Sequence, residues 1–259
     1  MIDRALAGFL LAGALALGAR ATRSLSPGGA VAALLVGTAA TMAGWPWAVV
    51  LITFFLTSSG LSRFRRSARE ARIAGIVEKS DERDAIQVMA NGGLFAAMAL
   101  AATLTGQPLL ATAALGALAA AAADTWATEV GTLAGGVPRS VVSLEPLAPG
   151  TSGGVTVAGT IASLAGAALV AAVAWLTGAE RMPVAVFVGG IIGSAADSLV
   201  GATVQERRWC DHCAKATERR VHTCGAATGI TGGIAGVRND FVNVVCTVAG
   251  AAVAALVAR

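Results

Sequence analysis

The chain has 259 residues, of which 56% are hydrophobic and 13% charged, with a formal net charge of +4. Its mean hydropathy of +0.72 and pI of about 9.3 exclude an ordinary soluble domain, in which charged residues make up about a quarter of the chain, and point to an integral membrane protein. Anionic headgroups or a phosphorylated substrate account for the basic balance, and no nucleic-acid partner is needed.

Apolar runs long enough to cross a bilayer fall at about 3–20, 28–44, 46–61, 86–105, 109–131, 154–177, 183–203 and 240–257. The expected fold is all-α: a polytopic transmembrane helix bundle of about seven to eight spans, forming one integral membrane domain over 1–259. The first run has almost no basic segment ahead of it and reads as a first transmembrane helix, not a cleaved leader. Between the second and third lies Gly44-Trp45-Pro46-Trp47, either an outer-face turn with interfacial indoles or a break inside a re-entrant pair. The count is eight if both cross.

Two long connectors carry the positive charge. Segment 62–85 holds Arg63, Arg65, Arg66, Arg69, Arg72, Lys79 and Arg83, and segment 204–239 holds Arg207, Arg208, Lys215, Arg219, Arg220 and Arg238. Both are expected to be cytoplasmic. Eight spans then put 132–153 on the same face and both chain ends outside, in a multi-pass protein of the cell membrane.

The fifth span ends in Asp124-Thr125-Trp126-Ala127-Thr128-Glu129-Val130-Gly131-Thr132. Asp124, Thr128 and Thr132 share a helix face, and Thr125 and Glu129 form the neighbouring stripe. The seventh span adds Asp197, with Ser194 and Gly201 on its face. Carboxylates near hydrocarbon are costly unless paired or binding something, and hard oxygen donors suit Mg²⁺ shared with substrate phosphates. The plainer alternatives are acids paired with basic side chains, and Asp197 as a helix–helix hydrogen-bonding residue.

Other polar sets surround these acids. Gly150, Thr151, Ser152, Gly153 and Gly154 precede the sixth span, where glycines and free helix-start N–H groups favour phosphate, although no Walker lysine follows. Arg83, Asp84, Gln87 and Asn91 open the fourth span, and Asn239, Asp240 and Asn243 open the last. Asn239 reads also as an N-cap and Arg83 as a positive-inside anchor, whereas buried amides such as Gln87, Asn91 and Asn243 must face the bundle interior. Arg139 lies between the fifth and sixth spans as a candidate phosphate ligand.

The 204–239 loop contains Cys210-Asp211-His212-Cys213 and His222-Thr223-Cys224. Cys-x₂-Cys followed by His-x-Cys supplies the four donors of a small tetrahedral Zn²⁺ site: Cys210, Cys213, His222 and Cys224, with His212 spare. A redox pair or free thiols are the alternatives. Cys246 reads as a small hydrophobe.

The ordered runs DERDAIQVMANGG, ADTWATEVG, GTSGGVT, DSLVGATVQ, CDHC…HTCG and RNDFVNVV resemble the DUF92/TMEM19 family of integral membrane proteins, which includes plant phytyl-phosphate kinases. The resemblance covers nearly the whole chain. It implies phosphorylation of an isoprenoid monophosphate to its diphosphate from a nucleoside triphosphate, with CTP suggested by likeness to phytol and dolichol kinases. The CDHC…HTCG segment resembles prokaryotic members and is not a mark of the kinase branch. On this reading Asp124, Glu129 and Asp197 hold Mg²⁺, Arg139, Arg83 and the 150–156 turn cradle phosphates, and the tail lies between helix faces such as 92–101 and 159–168. Nucleotidyl transfer to a lipid phosphate, transport of a lipid phosphate or small solute, and a non-catalytic scaffold are the competing classes. Oligomeric state is not legible.

Overall fold

A computed structural model describes residues 2–64, 66–67, 73, 75–76 and 82–259. Arg65, Arg69, Arg72 and Lys79 of the first basic connector lie outside the described residues. Among the described residues eight long helices carry the fold: α1 (Ile2–Ala21), α2 (Pro27–Ala43), α3 (Trp45–Arg63), α4 (Ala85–Thr105), α5 (Pro108–Leu133), α6 (Val157–Leu176), α7 (Pro183–Thr203) and α8 (Asn239–Val257). Seven are long and apolar enough to cross a membrane, and α2 is a shorter apolar helix of 17 residues, about 26 Å at 1.5 Å per residue. The chain is thus an all-α polytopic membrane bundle of seven to eight apolar spans.

Local chemistry sets the helix ends. Ser26 and Thr156 accept the N–H of Gly29 and Gly159 at the starts of α2 and α6, and Asp84 with Gln87 forms a capping box on α4, satisfying donors that a first turn leaves open. Proline opens α2, α3, α5 and α7, where its missing N–H costs nothing. Gly44 alone joins α2 to α3, at φ +146°, a conformation side chains rarely adopt.

α5 is the axis of the bundle. It packs against α3, α4, α6, α7 and α8, and every residue from Thr112 to Ala123 is buried. A helix apolar all round belongs inside, and this one is almost entirely Ala, Gly and Leu. With lipid outside, helices associate by close packing, so small residues govern the spacing. A Cβ on Gly250 of α8 would meet Ala120 Cβ and Gly116 O, each at 2.6 Å, and one on Gly193 of α7 would meet Ala120 Cβ at 2.5 Å. Outward residues such as Leu6, Leu10, Leu35, Ile161 and Leu256 are exposed, as suits a lipid-facing rim.

The alternation of helices brings the four connectors α1–α2, α3–α4, α5–α6 and α7–α8 to one end. There Arg83 N–H donates to Ser24 O and Ser26 N–H to Arg83 O, both at 3.0 Å, while Glu218 N–H donates to Ile76 O at 2.8 Å. Two small sheets absent from the all-α expectation form in these connectors: β1 (Arg139–Ser140) with β2 (Gly154–Val155), and β3 (Arg207–Cys210) between β4 (Lys215–Thr217) and β5 (Gly229–Gly232). Strands this short give too little hydrophobic periodicity to read from sequence.

Gly250→Val is expected to destabilise the bundle by about 1–3 kcal/mol or more through overpacking. Gly60, with nothing within 4 Å of its added Cβ, should accept Ala with a change under about 0.5 kcal/mol. Thermal unfolding of both variants in detergent checks the contrast.

Candidate functional site

The connector end opens into a cleft of about 2130 Å³, including its mouth. α5 contributes Asp124, Thr125, Thr128, Glu129 and Thr132, so both stripes of that helix reach it. α7 contributes Ser194, Asp197 and Ser198. Asp124 and Asp197 occupy matching places in two similar runs, Ala-Ala-Asp-Thr and Ala-Ala-Asp-Ser, and their carboxyl groups face each other within interacting reach. Asp197 Oδ2 is buried and no donor reaches it. Two carboxyl groups placed together away from water cannot both stay ionised on their own; they share a proton or hold a cation, and this donor set fits a hard divalent ion.

Glu129 is held differently. Arg83 Nη2 donates to Ser62 Oγ at 3.2 Å, and Ser62 Oγ donates to Glu129 Oε1 at 2.6 Å. Glu129 therefore lines the cleft on the α3 side, and among the described residues no group of three carboxylates joins Asp124, Glu129 and Asp197 within 4.8 Å.

The Gly150–Gly154 turn forms another wall. The β1–β2 pairing, Ser140 opposite Gly154, ties it to the first part of the same α5–α6 connector. Gly153 sits at φ +77°, where an added Cβ would meet Ala202 N at 2.6 Å. Only glycine lets the turn press this closely on the end of α7. Gln87, Asn91, Asn239, Asp240 and Asn243 complete the lining with Arg83 and Arg238. Gln87 Oε1 is engaged by the Asp84 N–H. Asn239 is the first residue of α8 and not its N-cap, a position taken by Arg238, because the backbone is extended at Arg238 and already helical at Asn239.

Arg139 is outside the cleft. Its Nη1 donates to Leu144 O at 2.8 Å within its own hairpin, and the neighbours Pro138 and Val141 line the cleft. β1 turns the Arg139 side chain outward, so among the described residues the basic groups reaching the lining are Arg83 and Arg238.

An apolar pocket of about 840 Å³, its open mouth included, lies beside the cleft, lined by residues of α1–α4 such as Leu15, Val36, Phe54 and Val88. Arg83, Gln87, Asn91 and Thr125 line both spaces. The helix faces 92–101 and 159–168 do not enclose a common groove: α4 packs on α2, α5 and α8, whereas α6 packs on α3, α5 and α7. The axial α5 separates them.

Above the cleft, Cys210, Cys213, His222 and Cys224 bring one donor atom each to within 4.8 Å of all the others. Cys210 Sγ and Cys224 Sγ are 3.7 Å apart, and His222 Nδ1 and Cys224 Sγ 3.3 Å. A tetrahedron with metal–sulfur bonds of about 2.3 Å has edges of roughly 3.8 Å, so the spacing is that of ligands and not of a disulfide. The Ala226 N–H and the His222 ring hold the Cys224 thiol down to about 6, while the adjoining Cys224 pushes Cys213 up to about 11. Thiols this close cannot all ionise without a cation among them.

Residues 10–251 match the family described as Integral membrane protein DUF92. The chain belongs to that family. It is 31% identical over 215 residues to Protein PGR of Arabidopsis thaliana, covering 73% of this chain and 74% of the relative. An uncharacterized membrane protein of Methanocaldococcus jannaschii is 30% identical over 197 residues, covering 74% and 80% of the two chains. A third, from Synechocystis, is 31% identical over 170 residues, covering 63% and 65%. No solved structure matches.

Among the cleft residues of this DUF92 chain that the sequence does not single out are Ser62, Arg238 and Glu218. Arg238 reads from sequence only as loop charge, although its place before the polar start of α8 is a usable signal. Glu218 follows β4, lines the cleft, and its charge is felt at Asp197. No periodicity or motif marks it.

Proposed function

We propose that the protein is a Mg²⁺-dependent, nucleoside-triphosphate-dependent kinase that converts an isoprenoid monophosphate to its diphosphate at the cytoplasmic face of the membrane. The observation that carries this reading is that the apolar pocket and the polar cleft adjoin, with Arg83, Gln87, Asn91 and Thr125 lining both. A lipid with a single chain and a phosphate head needs that junction: a tail among α1–α4 and its phosphate beside Arg83. The resemblance to phytyl-phosphate kinases supports the same substrate class.

In the reaction an oxygen of the prenyl phosphate attacks the γ-phosphorus. The bond from that phosphorus to the bridging oxygen breaks, and nucleoside diphosphate leaves. Bound Mg²⁺ would neutralise the donor phosphates. Asp124 and Asp197 supply its protein oxygens, and Glu129 orients Ser62 and, through it, Arg83. Backbone N–H groups of the Gly150–Gly154 turn and the guanidinium groups of Arg83 and Arg238 receive the phosphoryl oxygens. CTP is the nucleotide favoured by likeness to phytol and dolichol kinases.

Asp124→Asn and Asp197→Asn should each lower turnover by about 100-fold or more while thermal stability is kept, since the amide preserves shape and relieves charge. Product analysis with mixed nucleoside triphosphates and prenyl monophosphates, run beside thermal melts, checks this. Full activity in folded variants would remove the acids from the site, and pyrophosphate release would indicate nucleotidyl transfer.

The Cys₃His cluster is assigned a structural Zn²⁺, closed to water by its four protein ligands. Elemental analysis of protein purified without chelators should give about one zinc per chain, lost in the Cys210→Ser, Cys213→Ser double variant. Wild-type protein without zinc would refute the assignment.

The connector end is assigned to the cytoplasm from its arginines. A membrane-impermeant amine reagent should label Lys215 only after permeabilisation of cells, as read by mass spectrometry. Labelling of Lys215 in intact cells would invert the topology.

A further inference from the structure

Between the first and last metal-ligand candidates, Cys210 and Cys224, Glu218 is the described residue that lines the cleft. β3 ends at Cys210, which pairs in register with Lys215 at the start of β4, and Glu218 follows directly after β4. Ser152 Oγ donates to Glu218 Oε1 at 2.5 Å. One residue earlier, Thr217 Oγ1 donates to Gly75 O at 2.6 Å, while the Glu218 N–H holds Ile76 O. Three connectors therefore meet at two adjacent residues, and the ligand cluster lies on the same small sheet. A side chain on Gly75, at φ +83°, would meet His222 Nε2 at 3.0 Å, so the cluster and the α3–α4 connector are in close apposition as well.

We infer that Glu218 is a positioning residue that fixes the Gly150–Gly154 turn through Ser152, and that the Cys210–Cys213–His222–Cys224 cluster, when it holds its metal, fixes Glu218. The loop is then a metal-dependent latch across the mouth of the cleft. A strand of three residues has little stability of its own, and a metal bound only by the folded loop contributes its binding free energy to that fold. Without metal, β4 loses its anchor at Cys210, and the carboxylate that restrains Ser152 is no longer held. The role of the turn rests on the phosphoryl-transfer reading above, whereas the coupling between cluster and turn rests on the contacts alone.

Hydrogen–deuterium exchange on the full-length protein in detergent, without nucleotide or lipid, tests the coupling separately from the reaction. Removal of zinc by a chelator should raise exchange across 150–154 by about tenfold or more. Glu218→Gln and Ser152→Ala should do the same while retaining zinc and protection at 207–210. Unchanged exchange at 150–154 in a chelated protein whose 207–229 segment has opened would overturn the inference. If chelation unfolds the spans too, the zinc-loaded Glu218→Gln protein decides, and an unchanged turn in it is equally fatal. Where turnover is measured, Glu218→Gln should raise the nucleotide KM by about tenfold and leave kcat within about threefold. A loss confined to kcat would make Glu218 part of the reacting centre and overturn its positioning role.

Discussion

The structure depends on two carboxylates, Asp124 and Asp197, meeting between helices that nothing but small side chains could bring so close. In a bilayer there is no hydrophobic gain from burying Leu against Leu in place of lipid, so association comes from contact at short range and from polar groups that find partners. Gly116, Ala120, Gly193 and Gly250 provide the first. The facing acids do the reverse, since two carboxyl groups set together there cannot both ionise without a cation. A fold that keeps such a pair between its central helix and α7 carries a local cost that a bound cation would offset, which is why the pair is read as a site and not as a packing detail.

The cleft around the pair has two kinds of wall. Helix walls, from α4, α5, α7 and α8, present side chains at fixed periodicity. Connector walls, from the Gly150–Gly154 turn and Glu218, present backbone and one acid held by contacts among loops. The first kind is rigid because its helices are buried against one another, and the second is ordered by hydrogen bonds that other connectors supply. The apolar pocket among α1–α4 adds a third element, since among the described residues it shares Arg83, Gln87, Asn91 and Thr125 with the cleft.

How far the sequence disclosed this follows the same division. Hydrophobic runs and caps placed all eight helices close to their observed limits, because lipid forces backbone groups to pair within each helix. Helical spacing put Asp124, Thr128 and Thr132 on one stripe and Glu129 on the next, and both stripes do reach the cleft. The Cys-x₂-Cys and His-x-Cys spacings fixed a donor cluster because the ligands lie close in sequence. Arg139 and Glu218 show where the reading ran out. Both lie in connectors, where no helical period sets the neighbours: Glu218 meets Ser152 from 66 residues away, and Arg139 is turned to Leu144 by its own hairpin. No spacing encodes either contact, so the sequence points Arg139 at a cleft it does not line and leaves Glu218 unmarked. The apolar cavity likewise depends on which helices pack together, and α5 stands between the two faces expected to enclose the tail.

The most direct test of the central claim is Mn²⁺ binding to the purified protein, followed by electron paramagnetic resonance with zinc retained at the cysteine cluster. The account predicts a Mn²⁺ site that Mg²⁺ displaces and that Asp197→Asn and Asp124→Asn each weaken by about tenfold or more. Mn²⁺ binding of equal strength in the wild type and both folded variants would contradict it.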